Sequence, residues 1–316
     1  MLQKGDILID GGNSHFTDTD ARIARLVPTG IHFTGMGVSG GEDGARLGPS
    51  MMPGGNINGY AELKNILEKI AAQTDEGPCV TFVGNGSAGH YTKMVHNGIE
   101  YAIMQLISEV YAILKNVAGC SNDELHTIFA DWNKGALQSF LVEITASIFL
   151  QPDDVDSSKR LVDMILDRAA QKGTGMWTSE SALELHIPAP AIDEAVAARD
   201  LSAYKKEREL IDAFTPATVI KSVADKKQLI QDLHDALYFG MATSYIQGLH
   251  LLQTASDAYK YEINIAEVAR IWKGGCIIRS VMLNDIRKAY VGNATLKNLL
   301  TDKVFYTLLE QKEQPW

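Results

Sequence analysis

The chain has 316 residues, of which 46% are hydrophobic and 22% charged, a composition typical of a globular protein. No apolar run approaches the roughly 18 residues of a membrane span. The formal net charge of -10 opposes non-specific nucleic-acid binding, so neither a membrane nor a nucleic acid is an expected partner. No secretory signal is visible, which predicts a cytoplasmic protein. The cysteines Cys79, Cys120 and Cys276 form no C-x-x-C pair, so we expect neither a disulfide framework nor a metal site.

The first eighty-odd residues alternate short apolar runs with stretches of helical periodicity. The pattern predicts strands at 6–12, 31–38 and 79–84 and helices at 18–27 and 57–72. Strand followed by helix followed by strand is typical of a parallel sheet with crossover helices. Residues 1–88 are therefore predicted to form a partial α/β unit.

After the glycine-rich loop 84–89 the strand signals stop. Nearly every later segment has helical periodicity, and two long helices are predicted at about 91–117 and 226–258. We therefore expect two domains, 1–88 and 89–316, of the fold class α/β plus all-α.

The stretch GMGVSGGEDG (35–44) contains the spacing G-x-G-x-x-G at Gly35, Gly37 and Gly40. A dinucleotide-binding turn needs a helix that opens at the third glycine. The run that follows holds five further glycines and two prolines by residue 55, which predicts no helix there. The stretch is therefore interpreted either as a loop whose bare amides hold a carboxylate or phosphate, or as a long structural turn.

A stripe of polar residues runs along the predicted helix 91–117. Lys93, His96, Asn97, Glu100 and Tyr101 share an arc of about 140° on the helix surface. One interpretation is a solvated face with a Lys-to-Glu charge pattern. The other is a site, since the face mixes an amide, an imidazole and a phenol with one acid and one base.

A lysine and a glutamic acid on one face can serve as base and acid. The lysine needs a pKa lowered from about 10.4, and the glutamic acid needs a raised one. In addition, Gly98 lies in mid-helix at a cost of ~1 kcal/mol relative to alanine, which indicates close approach of a ligand or a backbone. A base and an acid on one helix face suit proton abstraction beside a carbonyl, or decarboxylation followed by protonation.

Two further segments offer cations. KGTGMWT (172–178) combines Lys172 with a threonine and glycine amides, a loop able to hold phosphate, and Arg199 lies on a predicted helix. Ordinary surface pairing and snorkelling are the alternatives for both. The glycines of GGCIIRS (274–280) are interpreted as a tight helix crossing.

Several stretches together resemble the decarboxylating 6-phosphogluconate dehydrogenase family. They occur in family order along nearly the whole chain: IDGGNS (9–14), GVSGGEDGARLGPSMMPGG (37–55), GHYTKMVHNGIEY (89–101), DWNKGALQSFLVEITASI (131–148), QKGTGMWT (171–178) and WKGGCIIRS (272–280). The resemblance implies the C-terminal half of a Rossmann-like parallel sheet domain that binds NADP, followed by a large all-helical domain. It also implies a homodimer.

The same resemblance implies an activity and roles for individual residues. The family oxidises 6-phosphogluconate with NADP, and the resulting β-keto acid loses CO2 and is protonated to ribulose 5-phosphate. By motif position Lys93 corresponds to the general base and Glu100 to the general acid. The positions that correspond to substrate-binding residues are Asn13, Ser39, Gly40, Gly41, His96, Asn97, Tyr101, Lys172 and Arg199. Asn13 also corresponds to a residue that contacts the cofactor.

The chain departs from the family pattern at both ends. It begins after the family's G-x-G-x-x-[GA] turn, and it stops at Gln314-Pro315-Trp316, before a tail that completes the partner subunit's phosphate site. In addition, Met176 replaces the usual lysine. We therefore expect an exposed sheet edge and weak NADP binding. Two alternatives stay open: a related β-hydroxyacid dehydrogenase, and a catalytically silent fragment that dimerises or binds sugar phosphate.

Overall fold

The computed structural model describes residues 2–215 and 224–310. Residues 311–316, where the sequence was expected to stop before the family's tail, lie outside this part. The strands are β1 (Ile7–Asp10), β2 (His32–Ser39), β3 (Ser50–Gly55), β4 (Gln73–Thr74), β5 (Gly77–Pro78) and β6 (Gly84–Asn85). The helices are α1 (Phe16–Leu26), α2 (Gly41–Leu47), α3 (Ile57–Ile70), α4 (Ala88–Asn116), α5 (Asn122–Trp132), α6 (Phe140–Ile148), α7 (Thr174–Glu184), α8 (Pro190–Ser202), α9 (Lys205–Phe214), α10 (Lys226–Tyr259), α11 (Ile265–Ile271), α12 (Met282–Gly292) and α13 (Lys303–Glu310).

The main sheet has the strand order β1-β2-β3-β6 and lies at the start of the chain. β1 pairs with β2 in parallel, and β3 pairs with β6 in parallel, but β2 and β3 are antiparallel. The sequence SMMPGG of β3 contains a proline and two glycines, which are depleted in strands, so its pattern did not predict this element. The predicted strand 79–84 is largely wrong, because Val80 makes only an isolated bridge to Met51 and regular pairing starts at Gly84.

A helix does begin inside the glycine stretch 35–44, contrary to prediction. α2 begins after Gly40, whose φ of 121° only glycine adopts readily, and ends at Leu47, just before Gly48. The contacts that stabilise it are tertiary, since a Cβ atom on Gly40 would lie 2.6 Å from the carbonyl oxygen of Gly275. Propensity along the chain could not reveal a helix that depends on backbone packing against a distant segment.

The helical part is built around two long helices. The predictions 91–117 and 226–258 are confirmed by α4 and α10, which pack along each other in the main hydrophobic core. Their close approach uses Gly248, because a Cβ atom there would lie 2.4 Å from Ile99. α4 also contacts α7, α8 and strands β2 and β3, so it connects the sheet to the helical part. The predicted fold class is confirmed.

Two surface properties of the described residues bear on the predictions. No helix among them is long and apolar enough to cross a membrane. β1 lies at the end of the strand order, and its side chains Leu8 and Ile9 are 37% and 38% exposed. The expected exposed sheet edge is therefore present.

Candidate active site

Glycines bring the start of α4 into contact with the sheet. A Cβ atom on Gly89 would lie 2.0 Å from the carbonyl oxygen of Gly35, and one on Gly37 would lie 2.4 Å from Cβ of Lys93. Real Cβ atoms do not approach so closely, so bare backbone is required at these positions. The glycines of GMGV therefore serve the packing of β2 against the helix that carries Lys93.

The polar stripe of α4 is buried. His96 is fully buried, Lys93, Asn97 and Tyr101 are each less than a tenth exposed, and the side chain of Glu100 is 20% exposed. The side chains of a solvated helix face would be exposed to solvent, so the interpretation as a charged surface is wrong. Gly98 lies against Thr178 of α7, whose side chain would be 2.6 Å from a Cβ atom. The glycine is therefore explained by helix packing rather than by a ligand.

A continuous series of hydrogen bonds, called the hydrogen-bond chain below, connects β2, α4, α7 and segment 272–280 across the site. The amide of Ile277 donates to Ser39 Oγ at 3.3 Å, and Asn97 Nδ2 donates to Thr174 Oγ1 at 3.0 Å. Between them His96 lies 3.0 Å from Ser39 Oγ through Nε2 and 3.1 Å from Asn97 Oδ1 through Nδ1.

The acceptor at Asn97 fixes the direction of this chain. Because Asn97 Oδ1 only accepts, Nδ1 of His96 carries the hydrogen and the Ser39 hydroxyl donates to Nε2. These hydrogen bonds orient four side chains from three segments, β2, α4 and α7, and the arrangement fits a neutral imidazole.

Lys93 and Glu100 flank the same imidazole. Lys93 Nζ lies 3.4 Å and Glu100 Oε2 lies 3.7 Å from His96 Nδ1. Burial lowers the pKa of Lys93, and the Glu100 charge opposes this shift in part. Burial raises the pKa of Glu100, against the effect of Lys93 and Arg199. Burial, with the Lys93 charge, also holds the pKa of His96 well below its ordinary range. The pKa shifts of Lys93 and Glu100 favour a neutral amine and a protonated acid, the forms that a base and an acid need before reaction.

The glycine loop after β2 lies beside this cluster. Ser39 is buried and belongs to the hydrogen-bond chain, whereas Gly40 is partly buried against Gly275 and Gly41 is exposed next to Ile277. The positive φ of Gly41, 59°, places its backbone in a conformation that favours glycine. The roles of these two glycines in binding stay predictions.

Arg199 reaches the site from α8. Its guanidinium lies 3.7 Å from the centre of the Tyr101 ring and donates to the carbonyl of Ala170 at 2.8 Å. It therefore borders both the polar stripe and the segment before α7. Lys172 lies exposed in that segment, with Met176 40% exposed just beyond it. A cation thus stands beside the stripe, and a second one lies in the adjoining loop.

Asn13 lies outside the hydrogen-bonded cluster. It is exposed, in the loop that leaves the carboxyl end of β1. Ligands of α/β sheets bind at the carboxyl ends of parallel strands, which agrees with the predicted contact to cofactor and substrate.

Segment 272–280 is the part of the site that sequence reasoning missed. Its glycine-containing part, 274–280, was predicted to be a tight helix crossing, but α11 ends at Ile271 and the segment forms turns. Ser50 donates its amide to the carbonyl of Gly275 at 2.7 Å, and Ile277 donates to Ser39. The glycines permit this contact of backbone with backbone. Each segment contains two adjacent glycines, Gly40-Gly41 and Gly274-Gly275, which was the available signal. Nothing local in the sequence indicated that the two segments contact each other.

Comparison with known proteins identifies the family. A family model described as the C-terminal domain of 6-phosphogluconate dehydrogenase matches residues 89–316. The chain belongs to the 6-phosphogluconate dehydrogenase family. A model described as the NAD binding domain of 6-phosphogluconate dehydrogenase matches residues 1–84. The resemblance inferred from the sequence motifs is therefore confirmed.

Individual relatives agree. The chain is 50% identical over 318 residues to the decarboxylating 6-phosphogluconate dehydrogenase of Synechococcus elongatus and 51% identical over 310 residues to the NADP(+)-dependent enzyme of Bacillus subtilis. These alignments cover 100% and 98% of this chain, but 68% and 66% of the relatives. A solved 6-phosphogluconate dehydrogenase of Plasmodium falciparum, studied in its apo form and in complex with NADP+ and with 6-phosphogluconate, superposes with a TM-score of 0.94 at 45% identity. That match covers 98% of this chain and 67% of the other. The chain thus spans about two thirds of the length of these relatives.

The two glycine stretches with the spacing G-x-G-x-x-G are not arranged as a cradle for the pyrophosphate of a dinucleotide. Gly35 and Gly37 lie inside β2, paired with β3. A second G-x-G-x-x-G, Gly84 to Gly89, does join a strand to a helix, yet a Cβ atom on Gly84 would lie 2.2 Å from the carbonyl oxygen of Tyr261. The Asp20 carboxyl hydrogen-bonds the side chain and backbone of Ser87 at the start of α4. A carboxylate at that helix N-terminus disfavours a phosphate there.

No group of three or more potential metal-ligating His, Cys, Asp or Glu side chains occurs within residues 2–215 and 224–310.

Proposed function

We propose that this chain carries the substrate site and the acid–base pair for oxidative decarboxylation of 6-phosphogluconate to ribulose 5-phosphate. The observation that supports the proposal best is the buried pair Lys93 and Glu100, whose pKa values are shifted in opposite directions around one neutral histidine. Groups whose environments push their pKa values apart are the usual acid and base of an active site.

In this proposal Lys93 acts first as a base. Its neutral amine accepts the proton of the substrate's 3-hydroxyl while the hydrogen on C3 leaves with its electron pair. The family's cofactor, NADP, supplies the acceptor for that hydride when it is bound. The product is a β-keto acid, and Lys93 now carries a proton that can return to the new C3 oxygen.

Decarboxylation and protonation complete the reaction. The C1–C2 bond breaks, CO2 leaves, and the electron pair remains in an enediol between C2 and C3. Glu100, whose protonated form is favoured because burial raises its pKa, then donates a proton to C2. The electron pair of the enediol forms the new C–H bond, and the C3 hydroxyl gives its proton to Lys93 to form the ketone.

The remaining predicted residues would orient the substrate. Ser39, His96 and Asn97 present a rigid polar surface to the sugar acid, since each is held by the hydrogen-bond chain. We assign the phosphate end to Arg199 and Lys172, the cations that border the stripe. Gly40, Gly41 and Tyr101 adjoin the sugar, and Asn13 faces substrate and cofactor.

The proposal is tested by following NADPH formation from 6-phosphogluconate. Lys93→Met is expected to lower the rate by roughly 10²- to 10⁴-fold, the usual contribution of a general base. The matched control is Lys115→Met on the same helix, where the ammonium pairs with Asp163. A Lys93→Met protein as active as the control would refute the assignment.

Glu100→Gln tests the second half of the reaction. It is expected to leave a first turnover of NADPH largely intact and to slow the release of ribulose 5-phosphate, because protonation follows oxidation. Glu109→Gln, on an exposed part of α4, is the control. Binding of 6-phosphogluconate without NADPH formation by the unmodified chain would favour the silent-fragment alternative.

We also propose a homodimer. α9 has no buried residue, and its apolar side chains Leu210, Ile211 and Phe214 are 60%, 63% and 82% exposed. Ion pairs of Lys205 and Arg208 with Asp167 hold this helix in place, so the apolar residues form a fixed surface. Light scattering after size-exclusion chromatography is expected to give twice the chain mass of 34.5 kDa, and a single-chain mass would contradict the proposal.

A further inference from the structure

His90 is a buried imidazole that the acid–base mechanism does not use. It is 2% exposed and lies one helical turn before Lys93 on α4. Its Nε2 lies 3.0 Å from the carbonyl oxygen of Asp10, and its Nδ1 lies 2.6 Å from Thr19 Oγ1. One side chain therefore joins the catalytic helix to the carboxyl end of β1 and to α1.

The donor directions at His90 are determined by the carbonyl. A carbonyl oxygen only accepts, so Nε2 carries the hydrogen and donates to Asp10. In the neutral ring Nδ1 then accepts from the Thr19 hydroxyl. Burial lowers the pKa of His90, which agrees with a neutral ring. The imidazole is thus held at both nitrogens in one tautomer.

The residue that His90 holds organises the loop of Asn13. The Asp10 carboxylate accepts from the amide of Gly12 at 3.0 Å and from the hydroxyl of Ser14 at 2.7 Å. These two groups flank Asn13 on either side. The Asp10 carboxylate therefore shapes the loop, while its carbonyl ties the same residue to α4.

Packing leaves the ring little freedom. A Cβ atom on Gly35 would lie 2.9 Å from His90 Nδ1 and 2.9 Å from Thr19 Cγ2. The imidazole fits against β2 only because residue 35 has no side chain. The contact is a built junction between sheet and helix rather than a chance approach.

We propose that His90 is a positioning residue that sets the placement of loop 11–14, and with it Asn13, relative to Lys93. Few contacts connect Lys93 to loop 11–14. His90 lies one helical turn from Lys93 on the same helix, and it donates directly to Asp10, the residue that shapes the loop. The inference rests on the proposed function only in taking Asn13 and Lys93 to act on the same substrate.

Two amide substitutions separate the two hydrogen bonds of His90. The amide of glutamine reaches the position of Nε2, so His90→Gln keeps a donor for the Asp10 carbonyl. The shorter asparagine reaches the position of Nδ1, so His90→Asn keeps a partner for Thr19 and loses the bond to Asp10. Both replace the ring by a neutral amide, which makes them a matched pair.

The first measurement is amide hydrogen exchange of the unliganded chain at Gly12. His90→Asn is expected to accelerate exchange there by about tenfold, because the loop loses its tie to α4. His90→Gln is expected to stay within about threefold of the unmodified chain. Equal exchange in the two variants, or no acceleration in His90→Asn, would overturn the proposal.

The second measurement is the kinetics of NADPH formation. His90→Asn is expected to lower kcat by roughly 10- to 100-fold, since a misplaced group near the reacting atoms costs catalysis of that order. KM for 6-phosphogluconate should change less, because only one of its proposed contacts, Asn13, lies in loop 11–14. His90→Gln should restore most of kcat, and a loss equal to that of His90→Asn contradicts positioning through the Asp10 carbonyl.

A control variant separates this effect from general destabilisation. His126→Gln breaks another imidazole-to-carbonyl bond, the 2.8 Å contact of Nδ1 with Ala146, in the helical part. It should lower stability without changing exchange at Gly12. If the unmodified chain forms no NADPH, the proposed function fails while the exchange measurement still decides the role of His90. If His90→Asn does not fold, His90→Leu, which fills a similar space but offers no donor to the Asp10 carbonyl, should accelerate exchange at Gly12 by about tenfold, and unchanged exchange overturns the proposal.

Discussion

Two stretches of this chain share the spacing G-x-G-x-x-G, and the fold uses them differently. In the first, Gly35 and Gly37 lie within a strand, where they let α4 approach. In the second, residues 84–89 form a turn from β6 into α4, the arrangement typical of a phosphate-binding site. There the glycines face Tyr261 and the sheet, and Asp20 lies at the helix start. The two stretches have the same glycine spacing but different roles. The role of a glycine therefore depends on which groups pack against its backbone.

The largest expected effect comes from the last glycine of the second stretch. In Gly89→Ala the new methyl group would lie 2.0 Å and 2.4 Å from the carbonyl oxygens of Gly35 and Met52. Backbone cannot yield as a flexible side chain can, so the free energy of unfolding should fall by about 4 kcal/mol or more. Chemical denaturation measures it. Gly292→Ala, with no atom within 4 Å of the new Cβ, is the control and should be neutral or slightly stabilising. A normally stable Gly89→Ala would mean that the sheet and α4 are not locked together.

A glycine of the first stretch should affect binding as well as stability. In Gly37→Ala the new Cβ atom would lie 2.4 Å from Cβ of Lys93, so the lysine must move. We expect the affinity for 6-phosphogluconate to fall by roughly 10- to 100-fold, because a shift of about 1 Å at a site has consequences of that size. Isothermal titration calorimetry measures this affinity.

Gly135→Ala is the control for that substitution. Its Cβ atom would approach nothing closer than 3.9 Å, so affinity should be unchanged. Equal affinities of Gly37→Ala and Gly135→Ala would show that the first stretch does not support the site.

Dinucleotide binding tests both stretches together. The glycines of the first stretch lie within a strand, and Asp20 lies at the helix start of the second, so the chain should bind NADP at least about tenfold more weakly than 6-phosphogluconate, a difference of about 1.4 kcal/mol. Calorimetric titrations with each ligand give the ratio. NADP binding as tight as that of the sugar phosphate would mean that a glycine stretch or another described surface does hold the pyrophosphate.

The smallest expected effect concerns the carboxylate at the start of α4. Burial raises the pKa of Asp20 above its ordinary value of 3.8, against the hydrogen bonds from Ser87, so ionisation costs stability in the folded state. That cost is present above the folded pKa and is lost as the pH falls through it. Asp20→Asn should therefore stabilise the chain at neutral pH by no more than about 0.5 kcal/mol, because Asp20 is only partly buried and water screens its charge.

Urea unfolding near neutral pH and again at about pH 4 measures the difference between Asp20→Asn and the unmodified chain. The difference should shrink toward acid. A difference that grows toward acid would mean that folding lowers the pKa of Asp20 instead of raising it. The control is Asp18→Asn, which removes a neighbouring exposed carboxylate on α1 whose partner is Arg22.

Sequence reasoning succeeded where the signal was local or long. The helices α4 and α10 follow from periodicity, and the stripe from Lys93 to Tyr101 follows from helical geometry. The family followed from consecutive motifs in order. Strand β3 and helix α2 were missed because their sequences, rich in glycine and proline, have no propensity for the structures they adopt.

The sequence by itself thus determined the family, the sheet-then-helices order, and the lysine and glutamate that share one helix face. Only the tertiary structure decided that this face is buried, that segment 272–280 braces Ser39, and that His90 ties the loop of Asn13 to the helix of Lys93. The physical reason is range. Periodicity and motif order are carried by neighbours along the chain, whereas burial, pKa shifts and backbone contacts between glycines depend on segments far apart in sequence that only folding brings together.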